Sequence, residues 1–275
     1  MGIFQSDCVA CPTLSQNDHK RVSIVMNVLI TGVSRGLGYH LSCQFLAEGH
    51  NVIGISRSRL DDTVPLNTLK ANINFTYYKV DITKQQEVTK TLSHIYSSGM
   101  TLDIVILNAG GITNDTHSGL DYVNFSKIIE LNFLSAMRII SIVLPKFLER
   151  QNGVFVAISS ISAIRALSSS KASIGYPASK SALSMAFEGL RIQYSNHNIR
   201  FITVQPGFLA EKKVLLGTAY PKAATIIYKH IASKRKSEVI SFPLSIVVLS
   251  QISKLFSDKF FGKVLSKLLK LMRKT

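Results

Sequence analysis

Met26-Asn27-Val28-Leu29-Ile30-Thr31-Gly32-Val33-Ser34-Arg35-Gly36-Leu37-Gly38 reads as a short buried strand, a glycine-rich turn and the first residues of a helix. Val28, Leu29 and Ile30 are consecutive, so the strand offers no polar face and is expected to be covered on both sides. Gly32, Gly36 and Gly38 let the backbone turn tightly and let an anion approach the N–H groups that open the helix. Such a turn is informative because it stands between a strand and a helix.

The same alternation continues outward from this stretch. Apolar strands are expected at 51–56, 74–80, 103–107, 153–159, 200–205 and 238–242, and helices at 36–48, 84–97, 125–148, 174–195 and 222–233. Strands apolar on both sides and separated by helices imply an α/β fold, a doubly wound (Rossmann-like) parallel sheet in a single domain. Residues 1–25 are polar and irregular and are expected to form a disordered extension. Residues 26–242 carry the dinucleotide-binding domain. Residues 243–275 read as a basic, amphipathic C-terminal helical extension, in which apolar Leu255, Phe256, Phe260, Phe261, Val264, Leu265, Leu268, Leu269 and Met272 alternate with lysines. That apolar stripe is expected to pack on the domain and wall a pocket, with contact to an anionic membrane as the alternative.

The chain has 275 residues and a formal net charge of +16, with 46% hydrophobic and 17% charged residues. The charge is uneven: residues 205–275 hold 14 lysines and arginines against 3 acids. No aromatic–basic motif accompanies the basic tail, so nucleic acid is not an expected partner. Cys8-Val-Ala-Cys11 has metal spacing, but a zinc site takes about four ligands and no second pair is present, so no metal is expected. The few cysteines suit a reducing compartment. The longest apolar run, 242–249, falls far short of the roughly 20 residues that span a bilayer. A cytoplasmic chain is expected, with peripheral membrane contact through the tail as the variant.

Dinucleotide choice is read at the end of the second strand. An acid there would hold a ribose 2′-hydroxyl. This chain has Ile55-Ser56-Arg57-Ser58-Arg59 instead, and Arg35 lies inside the glycine turn. Guanidinium groups at that position suit a 2′-phosphate, so NADP(H) is the expected cofactor. Far downstream, Tyr176-Pro177-Ala178-Ser179-Lys180 places a phenol four residues before an ammonium, on one helix face. A free phenol titrates near 10, and bringing it toward 7 takes about 4 kcal/mol. One ammonium about 4 Å away supplies roughly that much at an effective dielectric near 20. The pair is therefore expected to act as an acid–base group near neutral pH.

With these residues in order, the sequence resembles the classical branch of the short-chain dehydrogenase/reductase family over residues 26–245. The resemblance is carried by Thr31-Gly32-x-x-x-Gly36-x-Gly38, by Asn108-Ala109-Gly110, by Asn132, by Ser159-Ser160 before Tyr176-x-x-x-Lys180, and by Pro206-Gly207. It implies a catalytic set of Asn132, Ser160, Tyr176 and Lys180. Ser160 would hold a substrate oxygen, and Asn132 would order water toward Lys180. It also implies cofactor contacts from Gly32, Ser34, Arg35, Gly36, Leu37, Gly38, Arg57, Asp81, Asn108, Ala109, Gly110, Tyr176, Lys180, Pro206 and Gly207, with Asp81 at the adenine. Two departures stand out. The segment between Ser160 and Tyr176 is longer than usual and holds Arg165, Ser168, Ser169, Ser170 and Lys171. No threonine follows Pro206-Gly207, where Phe208-Leu209-Ala210-Glu211 stands instead. The resemblance implies NADPH-dependent interconversion of a carbonyl and a secondary alcohol by a homodimer or homotetramer paired through its two long helices. The substrate would be a small molecule, and the apolar tail hints at a lipophilic one. A dinucleotide-binding regulator with little turnover on the same fold is the alternative.

Overall fold

The computed structural model describes residues 24–58, 64–115, 119–166, 173–212, 217–233 and 237–264. Cys8 and Cys11 with the rest of 1–23, Arg59, Ser168 to Lys171, and Leu265 to Met272 lie outside the described residues.

The strands are β1 (Asn27–Thr31), β2 (Asn51–Ser56), β3 (Phe75–Lys79), β4 (Ile104–Leu107), β5 (Gly153–Ile158), β6 (Ile199–Pro206), β7 (Phe208–Ala210), β8 (Gly217–Ala219) and β9 (Val239–Phe242). The helices are α1 (Gly36–Ala47), α2 (Val64–Lys70), α3 (Gln85–Ser97), α4 (Tyr122–Ile129), α5 (Ser135–Arg150), α6 (Gly175–Gln193), α7 (Tyr220–Ala232) and α8 (Leu244–Ser253). Seven strands form one parallel sheet in the order β3-β2-β1-β4-β5-β6-β9. The chain winds outward from β1 in one direction, returns, and winds outward from β4 in the other. The reversal lies between β1 and β4, and ligands of such sheets bind outside the strand ends at that point.

The core follows from strand periodicity. Val28, Ile30, Ile104, Ile106, Val156, Ile158, Ile202 and Val204 face one side, where Leu41, Phe45, Ala223 and Ile227 of α1 and α7 cover them. Leu29, Val105, Leu107, Phe155 and Phe201 face the other, under Val88 and Leu92 of α3, Val143 and Phe147 of α5, and Leu183 and Phe187 of α6. Each large side chain buried this way contributes about 1.5–3 kcal/mol.

The long helix expected over 125–148 is instead α4, a π-helical turn at Glu130–Leu134, and α5. The run Tyr122–Arg150 is apolar and long enough to cross a bilayer, but Ile139, Val143 and Phe147 make it a core helix on the sheet. The parallel pair β7–β8 and the helix α2 have no counterpart in the sequence reading, because three residues, or two turns of helix, carry too little periodicity. The tail also differs from expectation. α8 turns Ile246, Ser250 and Ser253 inward, while Leu255, Phe256, Phe260 and Val264 remain exposed. Small serines let the helix backbone sit close to the domain. Arg165 then holds the segment after α8: it donates to the Phe256 carbonyl, pairs with Asp258 at 2.9 Å, and lies over the Phe261 ring at 4.8 Å.

Candidate active site

At the reversal, the Thr31 side chain bonds across to the next strand. Its Oγ1 accepts from the backbone N–H groups of Asn108 (3.0 Å) and Ala109 (2.9 Å). Asn108 Nδ2 donates back to the carbonyls of Thr31 (2.9 Å) and Gly32 (3.2 Å). This lock leaves no room on α1. A Cβ on Gly38 would lie 2.1 Å from the Gly32 carbonyl oxygen and 2.5 Å from Asn108 Nδ2. Gly38 is therefore a packing glycine beneath the turn. Gly32 and Gly36 adopt positive φ (75° and 57°), which an L side chain rarely does. The N-cap residue of α1, Arg35, makes no side-chain cap hydrogen bond, and Gly36 and Leu37 at the opening of the helix line the cleft.

A cleft of about 770 Å³ runs from this turn across the strand ends. Gly32, Ser34, Arg35, Gly36 and Leu37 line one part, and Arg57 with Ser56 and Ser58 lines the end of β2. The Tyr77 hydroxyl holds that end in place through Ser56 Oγ (2.7 Å) and the Ser58 carbonyl. Asn108, Ala109 and Gly110 form the floor, and Ser160, Tyr176, Lys180, Pro206 and Gly207 line the far part. Three residues named from the sequence do not line it. Gly38 lies under the turn. Asp81 turns its Oδ1 to the backbone N–H (3.0 Å) and hydroxyl (2.7 Å) of Thr83, while its neighbours Val80 and Ile82 face the cleft. Asn132 stands behind the wall, in the π-helical turn. Its Oδ1 accepts from Gly111 N (2.8 Å), and its Nδ2 donates to the Gly111 carbonyl (2.9 Å) and Ser179 Oγ (3.0 Å). A Cβ on Gly110 would come within 2.9 Å of Asn132 Oδ1 and 3.3 Å of Lys180 Nζ, so Asn132 and the lysine share one crowded wall.

The groups expected to react come from two elements. Ser160 follows β5, and its Oγ accepts from Ser162 N at 3.1 Å. Tyr176 lies in the first turn of α6 and lines the cleft together with Ser160. Lys180 lies one turn further on, is 4% exposed, donates to the Ile158 carbonyl at 2.7 Å, and has its ammonium 5.9 Å from the centre of the Tyr176 ring. The electrostatics differ from the sequence expectation. Burial raises the Tyr176 pKa above its ordinary value, against a smaller lowering by Ser160. Burial also lowers Lys180 to about 8. The ammonium is directed at a carbonyl rather than at the phenol, so desolvation outweighs the attraction expected from the four-residue spacing.

Asp115 was not singled out from the sequence. It is fully buried and accepts from Ser173 Oγ (2.9 Å), Ile174 N (2.8 Å) and Gly175 N (2.7 Å) at the start of α6. Burial pushes its pKa up, but these hydrogen bonds prevail and hold it below the usual carboxylate value. Its partners lie 58–60 residues away in sequence, so no local motif marks it. Tyr220 was missed as well. It opens α7 and lines the cleft, with its ring 3.3 Å from where a Gly36 Cβ would stand. Pro221 in the first turn of α7 is the available signal of a helix start there.

A family profile described as short chain dehydrogenase matches residues 26–214. The chain belongs to this family. An uncharacterized oxidoreductase of Myxococcus xanthus is 29% identical over 244 residues, which is 85% of this chain and 93% of the relative. The ketoacyl reductase HetN of Nostoc is 26% identical over 202 residues, 72% of this chain and 69% of its own. Among solved structures, a short chain dehydrogenase of Burkholderia cenocepacia, in complex with NADP, superposes with a TM-score of 0.70. It is 20% identical and covers 86% of this chain and 94% of its own. The family, with its oxidoreductase relatives, makes this dehydrogenase fold an oxidoreductase fold.

Two substitutions test the architecture of this dehydrogenase. Asp115→Ala strands two backbone N–H groups and a hydroxyl, and is expected to cost about 3 kcal/mol or more in urea unfolding. An Ala variant within experimental error of wild type would remove Asp115 as the anchor of α6. The depressed Lys180 gives a second outcome, in alkaline stability. The unfolded lysine holds its proton up to 10.5 and the folded one only to about 8. The Lys180 contribution to stability therefore rises with pH across that window, because there the unfolded lysine binds its proton and the folded one does not. Lys180→Met abolishes this rise. It is expected to stabilise the protein at pH 7 by about 2 kcal/mol, after allowing about 1 kcal/mol for the lost hydrogen bond.

Proposed function

We propose that this dehydrogenase is an NADPH-dependent oxidoreductase that interconverts a carbonyl and a secondary alcohol, with Tyr176 as the acid–base group. The observation that carries the reading is that Ser160, Tyr176 and Lys180 line one cleft that is continuous with the glycine turn. Burial keeps the phenol protonated at neutral pH, which is the form that donates to a carbonyl oxygen. A bound reduced nicotinamide supplies a hydride, two electrons with a proton, to the carbonyl carbon. Ser160 Oγ would hold the substrate oxygen, and Tyr176 would pass its phenol proton to it, so that the C=O bond becomes CH–OH. The phenolate left on Tyr176 is stabilised by Ser160 and the nearby Lys180 ammonium. Lys180, with its pKa near 8, is suited to return a proton at neutral pH. Asn132 positions the wall that holds Lys180 rather than touching the cleft itself.

Arg35, Arg57 and the absence of an acid at the end of β2 support NADP(H) over NAD(H), since both arginines line the cleft. The NADP complex of the Burkholderia relative points the same way. Ile112, Leu131, Phe208 and Leu209 add apolar side chains to the cleft lining, which favours a carbonyl with a lipophilic portion, and the Nostoc relative is named for reducing a ketoacyl group.

Tyr176→Phe is expected to lower kcat by about 10²-fold or more while leaving the NADPH dissociation constant unchanged. Near-normal turnover in that variant would remove Tyr176 from the chemistry. Arg35→Gln with Arg57→Gln is expected to weaken NADPH binding roughly 10- to 100-fold in fluorescence titration, with little change for NADH. Equal losses for both nucleotides would refute the assignment of the 2′-phosphate.

A further inference from the structure

α8 has its apolar residues on the wrong side for a helix of a closed domain. Its buried positions are Ile246, Ser250 and Ser253. Its outward positions include Leu244 (74% exposed), Val248 and Ile252 (47%). The pattern continues beyond α8, where residues 258–264 are again helical: Leu255 (83% exposed), Phe260 and Val264 are also outward. Positions 244, 248 and 252 follow helical spacing, so these side chains form one stripe on α8, and Leu255 stands exposed in the turn that follows. Isolated exposed apolar residues need no explanation, but a continuous stripe does.

Charge distinguishes the occupants of this stripe. Lys254, Lys259 and Lys263 are exposed along it. The acid among them, Asp258, is paired with Arg165. From Lys254 to the end the sequence has seven lysines and arginines against that one acid. A second copy of this chain would bring the same positive charge to the contact, whereas an anionic lipid surface complements it. An apolar face flanked by lysines is also what a helix lying in a bilayer interface requires, since one kind of attraction alone gives only marginal binding.

We infer that the outward face of α8 and of the helix after it is a docking surface for an anionic lipid bilayer. The surface lies next to the cleft. α8 packs on the turn Ile161–Ala163 that follows Ser160, and Ile246 reaches toward Gly207 in the cleft wall. Docking through this face sets the far end of the cleft beside the lipid phase. If the reductase reading holds, that is where a lipophilic carbonyl partitions. The docking surface itself does not depend on that reading.

The test is flotation of the full chain with two vesicle types, phosphatidylcholine alone and phosphatidylcholine mixed with phosphatidylglycerol. The protein is expected to float with the mixed vesicles and to remain below with the neutral ones. Ile252→Asp with Leu255→Asp should abolish flotation. Lys254→Gln with Lys259→Gln should lower the partition coefficient about 25-fold, at about fivefold per lysine. All four positions are exposed, so thermal unfolding should match wild type, and this control separates lost docking from lost folding. Two results overturn the inference: a full chain that stays below with both vesicle types, or one that floats equally with both. A third result overturns it in favour of a copy-to-copy interface, namely an aspartate variant whose mass by light scattering drops while wild type fails to float. Flotation reads no turnover, so its failure and the failure of Tyr176→Phe to lose activity are separate outcomes.

Discussion

The Asn108 side chain is the constraint on which the cleft depends. Where β1 leaves the sheet, the carbonyls of Thr31 and Gly32 lose their strand partners, and a buried carbonyl without a partner costs about 1–3 kcal/mol. Asn108 Nδ2 supplies both hydrogen bonds, and Thr31 Oγ1 accepts in return from the backbone after β4. The glycine turn and the Asn108-Ala109-Gly110 floor are thereby one rigid piece. Gly38 must lack a side chain because Asn108 and the Gly32 carbonyl already occupy its space. An anion-binding turn at the reversal of the sheet is a consequence of this lock and of the uncapped start of α1.

The second organising element is α6, which carries Tyr176 and Lys180 on successive turns. A buried carboxylate, Asp115, holds its beginning, where the helix dipole favours negative charge. A buried ammonium, Lys180, lies one turn in and is held against the Ile158 carbonyl. Each group is costly to bury and is compensated by hydrogen bonds from elements distant in sequence. Stability is given up at Lys180 to place a titratable cation beside a phenol, and the same burial keeps that phenol protonated. Burial of this kind is common where groups must work rather than merely pack.

Much of the fold was legible, for identifiable reasons. Strands such as Val28-Leu29-Ile30 and Phe155-Val156-Ala157 are apolar on both faces, a pattern that only a covered parallel sheet accommodates. The glycine spacing and the Tyr176–Lys180 pair marked where chemistry could sit, because turn geometry and helix periodicity are local. Other features escaped, besides α2 and Tyr220. The π-helical turn around Asn132 has no sequence signature, since it depends on which carbonyl a given N–H finds. β7 and β8 are three residues each. Asp115 has partners that the chain brings back only after a long excursion. The tail is legible as helical, with an apolar stripe read from Leu255 onward, but periodicity does not say which side of α8 turns inward. Ser250 and Ser253, small enough for close packing, decided that.

The sequence by itself determined the alternation of strand and helix, the glycine turn at the end of the first strand, and the placing of Tyr176 and Lys180 one helical turn apart. These depend on spacing along the chain, and short-range geometry converts spacing into structure directly. Only the tertiary structure decided the strand order, the carboxylate that anchors α6, the directions in which Tyr176 and Lys180 titrate, and the outward face of α8. Each of these is a matter of burial, and burial is set by atoms from parts of the chain that no local pattern connects.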